Sequence, residues 1–208
     1  MYDTGGTYSV CQPAAPDNNV VRRLNWLRFE LAPERNSDNV RVTSAVEFRP
    51  FVPVSGRAEF GVLRRTFVDG DAPPFEGSVA RVDLAYTLFG RTRFAVGYQR
   101  DLQASYRIDQ RDYLQTGTEL SVTHRLTNAW DVRGMLGRFN LAYGVGQTSG
   151  APVGVTEERV RMYGLDIGRY VGGMRVGLQV ARQGRTSDSP GGRDYVRTRI
   201  VSSVTYGI

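Results

Sequence analysis

The last thirteen residues of the chain, VRTRIVSSVTYGI from Val196 to Ile208, alternate between two faces with a period of two. One face carries Val196, Thr198, Ile200, Ser202, Val204, Tyr206 and Ile208, and the other carries Arg197, Arg199, Ser203, Thr205 and Gly207. Successive side chains of a β-strand point to opposite sides of a sheet, so the pattern predicts an amphipathic strand. An apolar last residue with an aromatic residue two positions before it is typical of the closing strand of an outer-membrane β-barrel.

The same alternation recurs along most of the chain. In the segment from Ala80 to Leu88, apolar residues at even positions oppose Arg81, Asp83 and Thr87 at odd positions. Repetition matters because one alternating strand would fit any half-buried sheet. The ten candidate strands are 24–31, 40–49, 57–67, 80–88, 93–101, 114–126, 130–143, 160–169, 174–183 and 196–208.

The links between these segments alternate in length, as the turns and loops of outer-membrane barrels do. The short links lie at 50–55, 89–91, 127–129 and 171–173, and the long polar or Gly/Pro-rich links lie at 33–39, 69–77, 103–113, 144–158 and 184–194. Counted back from the last strand, every short link falls on the side where the chain ends. We therefore expect an even number of strands with both termini on the periplasmic side.

These patterns predict an all-β fold, an antiparallel up-and-down transmembrane β-barrel of about ten strands over residues 20–208. Residues 1–19 are predicted to be an irregular N-terminal lead-in, with a possible remnant of an upstream strand at 7–10. The main alternative is a soluble β-sandwich that binds a ligand, but a sandwich hides its apolar faces and its turns need not alternate in length. The lone Cys11 allows no internal disulfide.

Composition narrows the function classes. No stretch approaches the roughly 18 consecutive apolar residues of a transmembrane helix, and no charged segment followed by an apolar run opens the chain as in a secretory signal peptide. All 27 basic residues are arginine, and the sequence pI is about 9.8. Because acidic residues are interspersed with these arginines rather than segregated from them, we predict no nucleic-acid partner.

Within a barrel, the polar faces of the strands point into the lumen. The predicted pore-lining residues are Arg41, Glu47, Arg57, Glu59, Arg81, Asp83, Arg93, Asp101, Glu119, Arg125, Arg133, Asp166, Arg175, Arg197 and Arg199. Two interpretations are open. The charged side chains could fill the interior and only stiffen the barrel, or the excess of arginine could line a wet passage with a mild preference for anions.

The apolar faces carry the membrane prediction. Phe48, Phe94, Trp130 and Tyr206 all lie beside short links or the C-terminus, where a lipid-facing aromatic girdle would fall. Glycines at 97, 117, 164, 168 and 177 share the polar parity, where they would leave space for long arginine side chains or mark bends.

The sequence offers few catalytic groups. His124 is the only histidine, and no Cys or His residues stand at zinc-ligand spacing, so we predict no catalytic residues, no metal site and no cofactor. A barrel enzyme acting on lipid or peptide stays open as a third hypothesis, with His124 and Asp101 as its candidate residues.

Several stretches resemble a known family. The runs EFRP from Glu47 and SGRAEFG from Ser55, the stretch from Arg100 to Tyr106, and TELSVTHRLTNAWD from Thr118 to Asp131 are similar to outer-membrane β-barrel proteins grouped as beta-barrel porin type 2. The resemblance covers residues 40–208 and implies a bacterial outer-membrane location and a porin-like or exopolysaccharide-export role. It also implies contact with outer-membrane lipid and lipopolysaccharide, and with polysaccharide or small anionic solutes. A non-conducting barrel that binds a partner through its loops is the alternative.

Overall fold

The computed structural model describes residues 6–15, 18–27, 36–48, 54–68, 74–105, 111–144, 156–188 and 194–206. These residues form eleven strands: β1 (Gly6–Ala15), β2 (Asn18–Leu27), β3 (Ser37–Phe48), β4 (Val54–Phe67), β5 (Phe75–Leu88), β6 (Thr92–Ala104), β7 (Asp112–Arg125), β8 (Trp130–Tyr143), β9 (Thr156–Val171), β10 (Met174–Ser187) and β11 (Tyr195–Tyr206).

All eleven strands belong to one antiparallel sheet in which each strand pairs with its neighbours in sequence. The predicted all-β, antiparallel, up-and-down fold is confirmed, and the strands do not divide into the two sheets of a sandwich. Among the described residues no pairing joins β1 to β11, so both are edge strands of an open sheet. The links alternate as predicted, with short ones after β5, β7 and β9 and long ones after β4, β6, β8 and β10.

The N-terminal segment differs from the prediction. The sequence predicts an irregular lead-in at 1–19 with a possible strand remnant at 7–10, whereas Gly6–Ala15, which contains 7–10, forms all of β1 and residue 18 already belongs to β2. Pro13 is tolerated because β1 is an edge strand, where one row of backbone amides needs no partner, and the register shifts just beyond it. Because the described residues form eleven strands rather than an even number, β1 begins at the long-link end of the sheet, whereas β11 ends at the short-link end.

The two faces of the sheet differ in curvature. Arg41 on β3 binds Asp101 on β6, although β4 and β5 lie between them. Three strand spacings amount to about 14 Å in a flat sheet, so this contact requires a curved sheet with both residues on its inner side. We call this side the concave face and the opposite side the convex face. The concave face carries the odd-numbered residues of β3–β8, β10 and β11 and the even-numbered residues of β9.

The sheet splits where β5 and β6 approach the long-link edge. Their pairing ends at Ala80 with Arg100, whereas β6 continues to pair with β7 as far as Ala104 with Asp112. Beyond the split the β6–β7 hairpin turns inward. Leu102 and Leu114, which have convex parity, therefore pack against the concave-face residues Leu63, Phe75 and Val79.

Candidate functional site

The concave face gathers the predicted pore-lining residues. All fifteen of them, from Arg41 to Arg199, have the parity of this face, and the strand registers place them on nine neighbouring strands. The alternation of β-strands brings them to one side although they are spread over more than 150 positions of sequence. Val201, absent from the polar set expected for β11, has the same parity.

Two adjoining cavities occupy this face. The larger, of about 660 Å³, is lined by Arg57, Arg81, Arg93 and Arg133 together with Asp83 and Glu119. The smaller, of about 350 Å³, is lined by Arg41, Glu59 and Asp101 and shares Arg57, Arg81 and Asp83 with the first. The cavities form where the strands carry small concave residues such as Ala85, Ala95 and Gly97.

Most of the charges around these cavities are paired. Arg57 donates from Nη1 to Glu47 at 3.2 Å and from Nη2 to Glu59 at 3.3 Å. Arg81 donates from Nε to Asp83 at 2.8 Å, but both side chains stay largely open to solvent, at 71% and 59% exposure. Such exposed pairs contribute little to stability, so Arg81 and Asp83 are held mainly by the strand that carries them.

Arg93 and Arg133 differ from the other cations of the larger cavity. Their side chains make no hydrogen bond or ion pair within the described part of the chain, and both are exposed. Both are register partners of Thr123, which places their Cα atoms on either side of β7, about 10 Å apart. Glu119 lines the same cavity and is likewise unpaired there. The wall therefore presents two free cations and one free carboxylate to any solute.

A compact ionic cluster lies nearer the short-link edge. Arg175 on β10 binds Asp166 on β9 and reaches past β9 to Asp131 on β8, with Nε 2.9 Å from Asp131 Oδ2. Tyr170 donates its hydroxyl to Asp131 at 2.7 Å. Arg125 lies over the Tyr170 ring at 5.9 Å from its centroid. This cluster joins four neighbouring strands, β7 to β10, rather than lining an open space.

Two predicted lining residues of β11 have different surroundings. Arg197 donates to Gln183 Oε1 at 2.6 Å and lies near the Tyr195 ring, whereas Arg199 has no such contact among the described residues. Both are exposed because β11 has a strand neighbour on one side only.

Sequence reasoning missed the apolar half of the concave face. Beside the long links, this face carries Leu63, Phe75 and Val79 in one buried cluster and Leu141, Tyr143 and Val160 in another. It also missed the buried pair of Arg185 with Glu158, in which Arg185 additionally donates to the Tyr143 hydroxyl at 2.8 Å. Both residues of this pair lie outside the predicted strands, because β9 begins before residue 160 and β10 continues beyond residue 183. Extending the alternating pattern to these positions would have found the pair.

The polarity of both faces switches part-way along the strands. On β9 the convex residues are apolar at Tyr163, Leu165 and Ile167 and become charged at Arg161 and Arg159. On β8 the change from Leu136 to Arg138 falls between the same register rows. On β10 the change from Val180 to Arg182 falls one row nearer the short links, and β4 changes likewise from Val62 to Arg64. The concave face changes in the opposite direction, from charged to apolar. Toward the short links the sheet is therefore apolar on its convex face and charged on its concave face, and we call this part the inverted zone. Toward the long links the two faces are the other way round, and we call this part the normal zone.

The predicted aromatic girdle lies on the convex face. Phe48, Phe94, Trp130 and Tyr206 are all exposed and stand at the ends of strands beside short links or at the end of β11. Arg169 covers the Trp130 ring at 5.5 Å from its centroid. All four rings lie at the same edge of the sheet.

The candidate enzymatic pair is not brought together. His124 lies near the short-link end of β7, where Nδ1 is 2.8 Å from the Thr92 hydroxyl, whereas Asp101 binds Arg41 toward the other end of the sheet. No group of three potential metal-ligating residues occurs in the described residues. Those residues also contain no helix that is long and apolar enough to span a membrane.

Comparisons with family models, curated proteins and solved structures gave no match to this chain. The fold defines the class as an all-β protein with an antiparallel up-and-down sheet.

Proposed function

We propose that this chain forms the wall of a bacterial outer-membrane β-barrel whose charged interior gives small anionic solutes or an acidic polysaccharide a passive passage. The observation that carries the proposal is the inverted zone of the sheet. There, large apolar side chains such as Leu136, Leu165 and Phe60 are about 60% exposed while the facing interior is charged. In water, burying such residues stabilises a sheet, so their exposure is unfavourable. In a membrane the same side chains contact lipid, and their exposure is favourable.

The dimensions of the inverted zone fit a bilayer. On β5 its apolar convex residues run from Ala80 to Leu88, nine residues in all. At about 3.3 Å per residue and a tilt near 45°, these span about 21 Å, close to the apolar band of about 25 Å in transmembrane barrels. The normal zone, apolar inside and polar outside, suits the parts of the strands that project into water beside the long loops.

The interior supports a preference for anions. The larger cavity lies within the inverted zone, and the free cations Arg93 and Arg133 outnumber the free carboxylate of Glu119. Rings of arginine in a narrow pore raise the local concentration of anions and repel cations. The resemblance to the porin type 2 family supports the same role.

A second candidate is a non-conducting barrel that anchors a partner through its loops. The inward-turned β6–β7 hairpin favours it, because Leu102 and Leu114 cover part of the interior beside the long links. Such a constriction could close a small barrel.

The first test is heat-modifiability of the chain purified from membranes in mild detergent. A mobility shift between boiled and unboiled samples, with a β-rich circular dichroism spectrum, would support a closed barrel. A monodisperse protein that needs no detergent and gives no shift would overturn the proposal. Planar-bilayer recordings on the shifted species then separate the two candidates, since a passage conducts and an anchor is silent.

A further inference from the structure

Three arginines form a patch on the convex face at the level where its polarity switches. Arg138 on β8 and Arg161 on β9 are direct register partners, and Arg182 on β10 lies one diagonal step away beside Tyr163. Direct partners are about 5 Å apart and diagonal neighbours about 7 Å. All three are exposed, and their side chains make no ion pair or hydrogen bond within the described residues. We call them the arginine rim.

The three arginines of the rim have no acidic residue paired with them in the described part of the chain, in contrast to other arginines of the convex face. Elsewhere on the convex face Arg64 pairs with Glu76 at 3.1 Å, and Arg100 donates to the Ser78 carbonyl. Arg159, one step above the rim, pairs with Asp188. Glu157 lies two steps above Arg161 on the same face. Three adjacent unpaired cations repel one another unless an anion lies between them.

An apolar groove of about 650 Å³ lies directly below the rim on the side of the inverted zone. It is lined by Leu120, Val122, Leu136, Leu165 and Val180 and opens at Gly134, where a side chain would meet no atom within 4 Å. Arg182 lines the upper end of the groove and so belongs to both features. The groove is a gap in an otherwise continuous apolar belt.

We propose that the arginine rim and the Gly134 groove form one binding site for a phosphorylated membrane lipid, with its phosphates on the rim and an acyl chain in the groove. Arginine binds phosphate through two parallel N–H groups, and three arginines on neighbouring strands match a head group with more than one phosphate. A hydrocarbon chain matches the groove because the walls are aliphatic. The site rests on the proposed membrane location, since only in a bilayer does an acyl chain lie along this face.

The test uses the full chain in mild detergent, with bisphosphorylated lipid A as the probe and native mass spectrometry as the measurement. Two variants address the two halves of the site: Arg138→Gln/Arg161→Gln/Arg182→Gln removes the rim, and Gly134→Leu fills the groove. The control Arg64→Gln/Arg100→Gln/Arg169→Gln removes three convex arginines that already have a partner or lie at the other edge.

The rim variant should lose bound lipid A by about tenfold or more, and the loss should be smaller for dephosphorylated lipid. Gly134→Leu should weaken both lipids alike, and the control should bind as the unmodified chain does. Equal binding by all variants, with the heat-dependent gel shift intact, would overturn the lipid site and leave the proposed function standing. A chain without any gel shift would overturn the proposed function and the site with it.

Discussion

Arg175 reaches Asp131 by lying across Gly168, the residue of β9 that separates their strands. Gly168 is the register partner of both Asp131 and Gly177, and a Cβ built on it would overlap the Arg175 guanidinium. The side chains of the pair are 17% and 5% exposed. The absence of a side chain at 168 is therefore what allows this ion pair to span β8 to β10.

Gly168→Ala should break the pair and destabilise the sheet. Displacing the guanidinium leaves the buried Asp131 carboxylate with the Tyr170 hydroxyl but short of a charged donor, which costs about 1 to 3 kcal/mol. The free energy of unfolding in urea, measured in lipid vesicles, checks this. Gly184→Ala is the matched control, since its Cβ meets nothing within 4 Å, and it should change the value by less than about 0.5 kcal/mol.

The same cluster gives a test of coupling. The double variant Gly168→Ala/Arg175→Gln should cost no more than Arg175→Gln alone, because both changes remove one interaction. Additive losses would contradict the role given to Gly168.

This glycine also shows what the sequence allows one to predict. Its concave parity, and that of the glycines at 97, 117, 164 and 177, follows from the period of two and needs no tertiary information. The sequence leaves two interpretations of these positions open, space for an arginine side chain or a bend in the strand. Choosing between them requires the register between strands, because Arg175 lies one row away from Gly168 on another strand.

The triple variant Arg81→Gln/Arg93→Gln/Arg133→Gln should show a reduced preference for anions in planar-bilayer recordings. These arginines line the larger cavity, and two of them, Arg93 and Arg133, have no acidic partner in the described part of the chain. The shift in reversal potential should be largest at low salt, where screening is weakest. The control Arg64→Gln lies on the convex face and should leave the potential unchanged. An unchanged potential in the triple variant would count against these residues.

The inward-turned hairpin predicts a second conductance effect. Leu102→Ala/Leu114→Ala removes side chains that are 5% and 7% exposed from the cluster with Leu63, Phe75 and Val79. Each truncation should cost about 2 to 5 kcal/mol of stability and loosen the hairpin. If the hairpin narrows a passage, single-channel conductance should rise. Leu178→Ala, on the exposed convex face, should leave conductance as it was.

The apolar interior behind that hairpin could not be predicted from alternation alone. Period-two analysis assigns each strand one apolar face, yet β4 is apolar outside at Val62 and apolar inside at Leu63, one residue later. This change of face makes the alternation in the 57–67 segment irregular. The apolar face of β4 changes because the strand passes from the inverted zone into the normal zone. A pattern that assigns one apolar face to the whole strand cannot represent this change.

Charge substitution on the convex face should depend on depth. Leu165 lies in the middle of the apolar residues of β9, whereas Val68 follows the end of β4 at the long-link edge, and both are more than half exposed. In a bilayer, Leu165→Arg should cost about 2 to 4 kcal/mol and Val68→Arg about 0 to 1 kcal/mol, as measured by urea unfolding in vesicles. On a surface in water, both exposed positions would tolerate arginine equally. A difference between them therefore measures the hydrocarbon around the strand, and equal costs would mean that the convex face meets water.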